Sequence, residues 1–223
     1  MPTPSPLRIF HITPIANLES IATSGMLQAK GLLEKQKTAH ANIAYQGAQG
    51  RRATKLVARP PGGVIHEYVP FYFAPRSPML MTINGGNVEG CPYRQQDIVH
   101  FATTVEVIVE NELPFVFYDY NATLSIATCY SNLEELDHID WELFHEAPRL
   151  DGYCQYWHSR VDVSRYIRRM ETRQAEFLVH KSVPLELMEM VGVYSAAKAA
   201  EVKEIFDDAD IEIPVEVKSA WYY

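Results

Sequence analysis

The stretch Tyr68-Val-Pro-Phe-Tyr-Phe-Ala-Pro-Arg-Ser-Pro-Met79 constrains the fold of this chain more than any other. Alternation along an extended strand puts Tyr68, Pro70 and Tyr72 on one face and Val69, Phe71 and Phe73 on the other, so both faces are bulky. That pattern reads as a two-sided core strand. The Ala-Pro-Arg-Ser-Pro bend that follows is a polar-bearing turn that a core alone does not need. The other strand-like runs are equally short: 7–12, 98–109 (Val105, Val107 and Val109 alternating with Glu106, Ile108 and Glu110), 115–118, 176–179, 191–194 and 211–217. Helical signals are fewer. Thr13 as N-cap with Pro14 at the first helical position opens a helix through Ile15, Leu18, Ile21 and Ala22 that Gly25 stops. Residues 196–209 form a second, amphipathic one through Val202, Ile205 and Phe206. Many short strands and few helices predict an α+β domain built on antiparallel sheets.

Two segments fit neither class. Residues 29–57 are polar, rich in Gln, Ala and Lys and weakly periodic, which predicts helical pieces in a mobile excursion closed by the turn Arg59-Pro-Pro-Gly-Gly63. Residues 121–166 are long and mixed and read as a functional insertion.

Charge is unevenly spread along these segments. The 223 residues carry a net charge of −8, which by itself disfavours a nucleic-acid partner. Gln28 to Arg59, however, holds seven bases against Glu34 alone, and Arg160 to Lys181 holds six bases against three acids. The acids sit in Glu134–Glu146 and Glu201–Tyr223, and outside these two stretches the chain is net +3. Screening over about 8–10 Å lets a polyanion respond to a local basic face more than to the total. Two solvated charged faces are the plainer reading of the same pattern.

No P-loop, dinucleotide fingerprint, nucleophile elbow or zincin motif is present. Cys91, Cys129 and Cys154 are widely spaced, and the eight histidines are scattered, so neither a disulfide framework nor a metal site is expected. No apolar run approaches the ~18–20 residues of a spanning helix, and residues 1–8 do not read as a signal peptide, so a cytosolic location is expected. Two chemistry-bearing signals remain beside the aromatic strand. His11-Ile12-Thr13 ends a buried strand, projecting a ring and a hydroxyl at a sheet edge. Glu176 leads directly into an apolar strand, where its carboxylate is partly desolvated and needs a partner.

A His on one strand, a Tyr-Phe-Ala…Ser motif on a second and a Glu on a third resemble the ADP-ribosyltransferase fold in its diphtheria-toxin-like, poly(ADP-ribose)-polymerase-like branch. His-Ile-Thr-x-x-x-Asn-Leu with Gly25, Gly62-Gly63, the 68–80 motif, Leu113-Pro-Phe-Val-Phe, Asp119-x-Asn-Ala122, Gln174-Ala-Glu-Phe-Leu-Val179 and Trp221-Tyr-Tyr223 resemble the DarT family more closely, over essentially the whole chain. These are the DNA ADP-ribosyltransferase toxins of DarT/DarG toxin–antitoxin pairs. The resemblance implies one ADP-ribosyltransferase domain over 1–223, with antiparallel split β-sheets and flanking helices. It further implies an NAD-binding excursion over about 33–52 and a substrate-loop insertion over about 130–176.

The implied activity is transfer of one ADP-ribose from NAD to a base of single-stranded DNA, thymine favoured, with release of nicotinamide. Guanine in DNA, or RNA or protein acceptors, are the alternatives, and a non-catalytic nucleic-acid-binding module is a reading of another class. A macrodomain antitoxin, DarG, is the implied partner. Glu176 and an arginine, Arg51 with Arg52 close behind, are the implied catalytic residues; His11, Ile12, Thr13, Ser20, Gln28, Arg51, Arg52, Tyr72, Phe73 and Ser77 would bind NAD. Met79, His145, Tyr153, Tyr156, Trp157, Arg165, Arg168 and Arg169 are chosen by residue type to stack on bases or contact phosphate. Met79 stands after Ser77 where the polymerase branch has a further tyrosine, which fits transfer of a single ADP-ribose.

Overall fold

In the computed structural model, which describes residues 1–44 and 46–223, twelve strands and eight helices follow one another along the chain. The strands are β1 (Arg8–Pro14), β2 (Met26–Gln28), β3 (Tyr68–Tyr72), β4 (Ile98–Thr104), β5 (Phe115–Tyr118), β6 (Cys129–Tyr130), β7 (Arg149–Leu150), β8 (Tyr153–Cys154), β9 (Glu176–His180), β10 (Ser182–Pro184), β11 (Met190–Val193) and β12 (Val215–Val217). The helices are α1 (Leu18–Ser24), α2 (Lys30–Gln36), α3 (Gln46–Thr54), α4 (Pro78–Asn84), α5 (Val105–Glu110), α6 (Trp141–His145), α7 (Arg169–Thr172) and α8 (Ala196–Asp208). Eight strands form one sheet in the order β12-β11-β4-β1-β3-β9-β5-β6, antiparallel at every pair except β11–β12. β2–β10 and β7–β8 are separate two-stranded pairs. Helices on an antiparallel sheet make this the expected α+β fold.

The sheet is covered on both faces. All seven residues of β4 are buried. One core gathers Ile9, Val69, Phe71, Phe73, Phe101, Phe177 and Val179 with Leu18, Trp141, Phe144, Val202 and Phe206 from the helices. Phe10, Ile12, Ile98 and Ala102 pack on the other face against Leu80, Ile83, Trp221 and Tyr222. The closing Trp-Tyr-Tyr is thus part of the core. Gly192 is required beneath it, because a Cβ there would lie 2.3 Å from the Trp221 ring.

One break in the sheet positions everything that follows. β1 and β3 pair at a single point, Phe10↔Tyr72. A residue's N–H and C=O point to the same side of a strand, and the carbonyl of Pro70 accepts from His11 Nδ1 at 2.9 Å, so its missing N–H also faces β1. β1 and β3 diverge where the ladder has no donor, and a cleft opens between them.

Three local expectations need correction. The run 98–109 is not one strand: the Thr104 hydroxyl accepts from Val107 N at 3.3 Å as an N-cap, α5 begins, and Val105 and Ile108 face the core at helical spacing. Thr13 is not an N-cap. It stays in β1 opposite Val99, its hydroxyl accepts from Asn17 Nδ2, and α1 starts only at Leu18. The last strand is Val215–Val217 rather than 211–217. Gly25 does end α1, in the left-handed conformation at φ 65°.

Candidate active site

The cleft between β1 and β3 is roofed by the excursion. α2 and α3 lie there, with Tyr45 outside the described residues. Asn17 clamps the segment between them: its Oδ1 accepts from Ala41 N at 2.7 Å, and its Nδ2 donates to Ala41 O and to Thr13 Oγ1, both at 3.0 Å. α3 is held from its middle, at Gln49, and from just past its end, at Lys55. His66 Nε2 donates to Gln49 Oε1 at 2.7 Å, and Lys55 Nζ donates to Leu124 O at 2.7 Å. Between these two anchors, α3 turns Arg52 inward.

Arg52 meets the carboxylate that the sequence singles out. Glu176 opens β9 between Tyr72 of β3 and Tyr118 of β5, its side chain only 1 % exposed. Its Oε2 accepts from Arg52 Nη1 at 2.7 Å, and its Oε1 accepts from Ala122 N at 3.4 Å. Arg52 Nη2 is buried and has no hydrogen-bond partner among the described residues. The guanidinium therefore holds the carboxylate through one of its two terminal nitrogens.

Around this pair lies a cavity of about 240 Å³ lined by His11, Ile12, Gln49, Arg52, Tyr72, Met79, Asn121, Thr123, Gln174 and Glu176. A second lobe of about 160 Å³ shares His11, Ile12, Gln49 and Met79 with it and continues past Thr13, Asn17, Ser20, Gln28, Lys30 and Leu33. The two lobes form one elongated site with the ion pair at one end. Burial pushes the His11 imidazole down to about 4, more than the bond to Pro70 raises it, so the ring is neutral near pH 7. A carbonyl only accepts, so Nδ1 carries the proton and Nε2 is left as an acceptor. Burial, reinforced by the Glu176 charge, pushes the Tyr72 hydroxyl up, so it stays a neutral donor. Among the described residues no three of His, Cys, Asp and Glu converge as a metal site, and no helix is long and apolar enough to cross a membrane.

The structure brings together His11, Ile12, Thr13, Ser20, Gln28, Arg52, Tyr72, Met79 and Glu176. Arg51 is not among them: it is exposed, and one residue is about 100° around a helix, so Arg51 and Arg52 cannot both face the carboxylate. Phe73 belongs to the core, its ring edge-on to Trp141, Phe144 and Phe177, on the strand face opposite Tyr72. Ser77 is fully buried, and its hydroxyl accepts from Leu80 N as the cap of α4.

The insertion residues lie apart from the cavity lining. Tyr156 and Arg168 are exposed. Trp157 is buried and stacked on His158 at 3.9 Å, Tyr153 packs edge-on to Phe10, and His145 Nδ1 bonds Gly152 O. Arg169 is buried, with Nη2 on Glu146 Oε1 at 2.8 Å and its guanidinium 3.4 Å over the Tyr166 ring; Arg165 reaches Glu142 at 2.8 Å. The acidic stretch 134–146 therefore folds onto the basic stretch 160–181 and neutralises part of it. A free basic face built from all of Arg165, Arg168 and Arg169 is not what forms.

Asn17, Gln49, Asn121 and Gln174 are site residues that residue-type reasoning passes over. Asn17, Asn121 and Gln174 do stand inside the motifs on which the family resemblance rests.

Comparison with known proteins identifies the family and the fold. The family model described as "ssDNA thymidine ADP-ribosyltransferase, DarT" matches residues 10–223. A DNA ADP-ribosyl transferase of Thermus sp. (strain 2.9) is 38% identical over 224 residues, covering 99% of this chain and 98% of the relative. The solved structure of Thermus sp. 2.9 DarT in complex with ADP-ribosylated ssDNA superimposes with a TM-score of 0.87 at 37% identity, covering 100% of this chain and 99% of the other. The same protein in complex with NAD+ gives 0.84 at 35% identity, with 100% of both chains covered. With the family model matched over residues 10–223 and a relative 38% identical over nearly its whole length, this chain belongs to the DarT family of NAD-dependent DNA ADP-ribosyltransferases.

Proposed function

We propose that this chain transfers a single ADP-ribose from NAD to thymine in single-stranded DNA, with Glu176 and Arg52 as its catalytic pair. The observation that carries this reading is the 2.7 Å contact of Arg52 with Glu176 in a cleft whose other lobe runs past His11, Thr13 and Gln28. Relatives solved with NAD+ and with ADP-ribosylated ssDNA support the substrates. Cleaving the bond between ribose and nicotinamide builds oxocarbenium character at the ribose, and fixed negative charge in a water-poor cleft stabilises it. Glu176 supplies that charge and accepts from a ribose hydroxyl. The lone pair on His11 Nε2 and the Thr13 hydroxyl hold further polar groups of NAD, and Tyr72 presents its ring to the same cavity. A guanidinium is too weak an acid to act as an ordinary base, so Arg52 serves through charge. Its Nη2 binds the diphosphate or an ionising base. Glu176, freed from full pairing as Arg52 turns to substrate, takes the base proton.

In this reading residues 1–223 are one catalytic domain, 33–52 is the NAD-binding excursion and 130–176 the substrate insertion. The enzyme works in the cytoplasm, where NAD and DNA are both at hand, and a DarG macrodomain antitoxin is its partner. The test offers four acceptors in one assay with NAD: single-stranded oligonucleotides with thymine or guanine as the only modifiable base, an RNA strand and a protein. Adduct on the thymine strand with equimolar nicotinamide release is expected. Adduct confined to any other acceptor overturns the assignment.

A further inference from the structure

Arg173 stands three residues before Glu176 and is the most deeply buried cation of the molecule, its residue 1 % exposed. It has no carboxylate within ion-pair distance among the described residues. Its Nη1 instead donates to three backbone carbonyls: Leu143 O at 3.3 Å, Cys154 O at 3.1 Å and Tyr156 O at 3.2 Å. The guanidinium carbon lies 5.0 Å from the centre of the Phe144 ring, a second source of attraction for the cation. Nε and Nη2 are buried without partners among the described residues, and burial lowers the tendency of the group to stay charged.

A buried charge without a counter-ion is costly, and packing alone is served better by an apolar residue of the same size. What the guanidinium gains is geometry. The three carbonyls come from α6, from β8 and from the chain just after it, so the guanidinium sits where α6 and the β8 segment, themselves joined by His145 Nδ1 on Gly152 O, meet. The same side chain grows from the segment Arg173-Gln174-Ala175-Glu176, in which Gln174 lines the cavity and Glu176 holds Arg52. Arg173, with the Arg169–Glu146 pair one turn before it, therefore ties α6 and the β8 segment to the backbone that carries Glu176.

We infer that Arg173 is a positioning residue for the acceptor strand, setting where the insertion presents a base relative to Glu176 without touching NAD. The inference rests on the reading that the insertion holds DNA. A displacement of about 1 Å at such a site costs on the order of 100-fold in rate.

The experiment compares wild type, Arg173→Lys and Arg173→Met. NAD affinity is read by calorimetry, transfer to a thymine-containing oligonucleotide by KM and kcat, and the protection of residues 141–157 by hydrogen exchange. Expected for Arg173→Met is an NAD affinity within twofold of wild type, a kcat/KM for the oligonucleotide lowered by about 30-fold or more, and lost protection over 141–157. Arg173→Lys, which keeps the charge and offers its one nitrogen to the three carbonyls from a flexible stem, falls between the two and serves alone should the Met variant fail to fold. An unchanged kcat/KM for the oligonucleotide in the folded variants overturns the inference, as does NAD affinity that falls in step with it. Wild type that binds NAD but modifies no strand overturns the reading of function itself, a different result from active wild type with indifferent variants.

Discussion

Replacing Glu176 by Gln preserves shape and removes the charge that Arg52 Nη1 contacts at 2.7 Å. Removing one partner of a buried pair costs about 3–5 kcal/mol, because the other charge is left uncompensated. The Glu176 side chain is 1 % exposed and that of Arg52 12 %, so some water reaches the arginine and the low end, about 3 kcal/mol, applies. For a chain of this size 1 kcal/mol is roughly 2–4 °C in melting temperature, so Glu176→Gln melts about 6–12 °C below wild type. Arg52→Gln strands the carboxylate in the same way. The double variant has neither orphan, and the cycle closes with a coupling of about 2–3 kcal/mol. Urea unfolding of all four proteins at pH 7.5 and low salt measures this directly. Each single variant also loses about 100–1000-fold in transfer, the size expected for removing one charge-stabilising group. Single-variant costs that simply add, with coupling below about 0.5 kcal/mol, refute the claim that the two charges act as a unit.

Other consequences are open to simple measurement. His11 and His100 are both held down to about 4 by burial, so between pH 6.5 and 4 the unfolded chain binds protons that the folded chain does not. Stability therefore falls as pH drops through that window, by at most about 1.4 kcal/mol per pH unit for each histidine, and a flat melting temperature from pH 7 to 4.5 contradicts it. Gly192→Ala forces a methyl against the Trp221 ring, which cannot swing away because its Nε1 donates to Asp151 at 2.6 Å; a loss of about 1–3 kcal/mol by denaturation is expected. Asn17→Ala removes both bonds to Ala41 and weakens NAD binding by about tenfold in calorimetry. Asn17→Asp does no better, since a carboxylate accepts from Ala41 N and repels Ala41 O.

The sheet was legible wherever side-chain alternation and apolar content agreed, as in Phe115–Tyr118 and Glu176–His180. It failed where a short-range hydrogen bond decides against the pattern. The valines at 105, 107 and 109 alternate, yet the Thr104 cap makes them helical. Alternation also contained the answer for Phe73: it lies on the face opposite Tyr72, and only one face borders the cleft. Choosing Arg52 over Arg51 required the rotation of α3, which weak periodicity does not encode but the His66 and Lys55 anchors set. The charge blocks could be counted along the chain. Their mutual neutralisation through Arg169–Glu146 and Arg165–Glu142 is a tertiary fact.

The reaction needs Glu176 and Arg52, and does not need Arg51. Incubating a single-stranded, thymine-containing oligonucleotide with NAD and wild type, Arg51→Ala, Arg52→Ala or Glu176→Ala, and weighing the products by mass spectrometry, decides it. One ADP-ribosyl group per modified strand, located on thymine by fragmentation, formed by wild type and Arg51→Ala and abolished in Arg52→Ala and Glu176→Ala, is the predicted result. Full activity in Arg52→Ala with loss in Arg51→Ala, or an adduct that survives Glu176→Ala, contradicts the account.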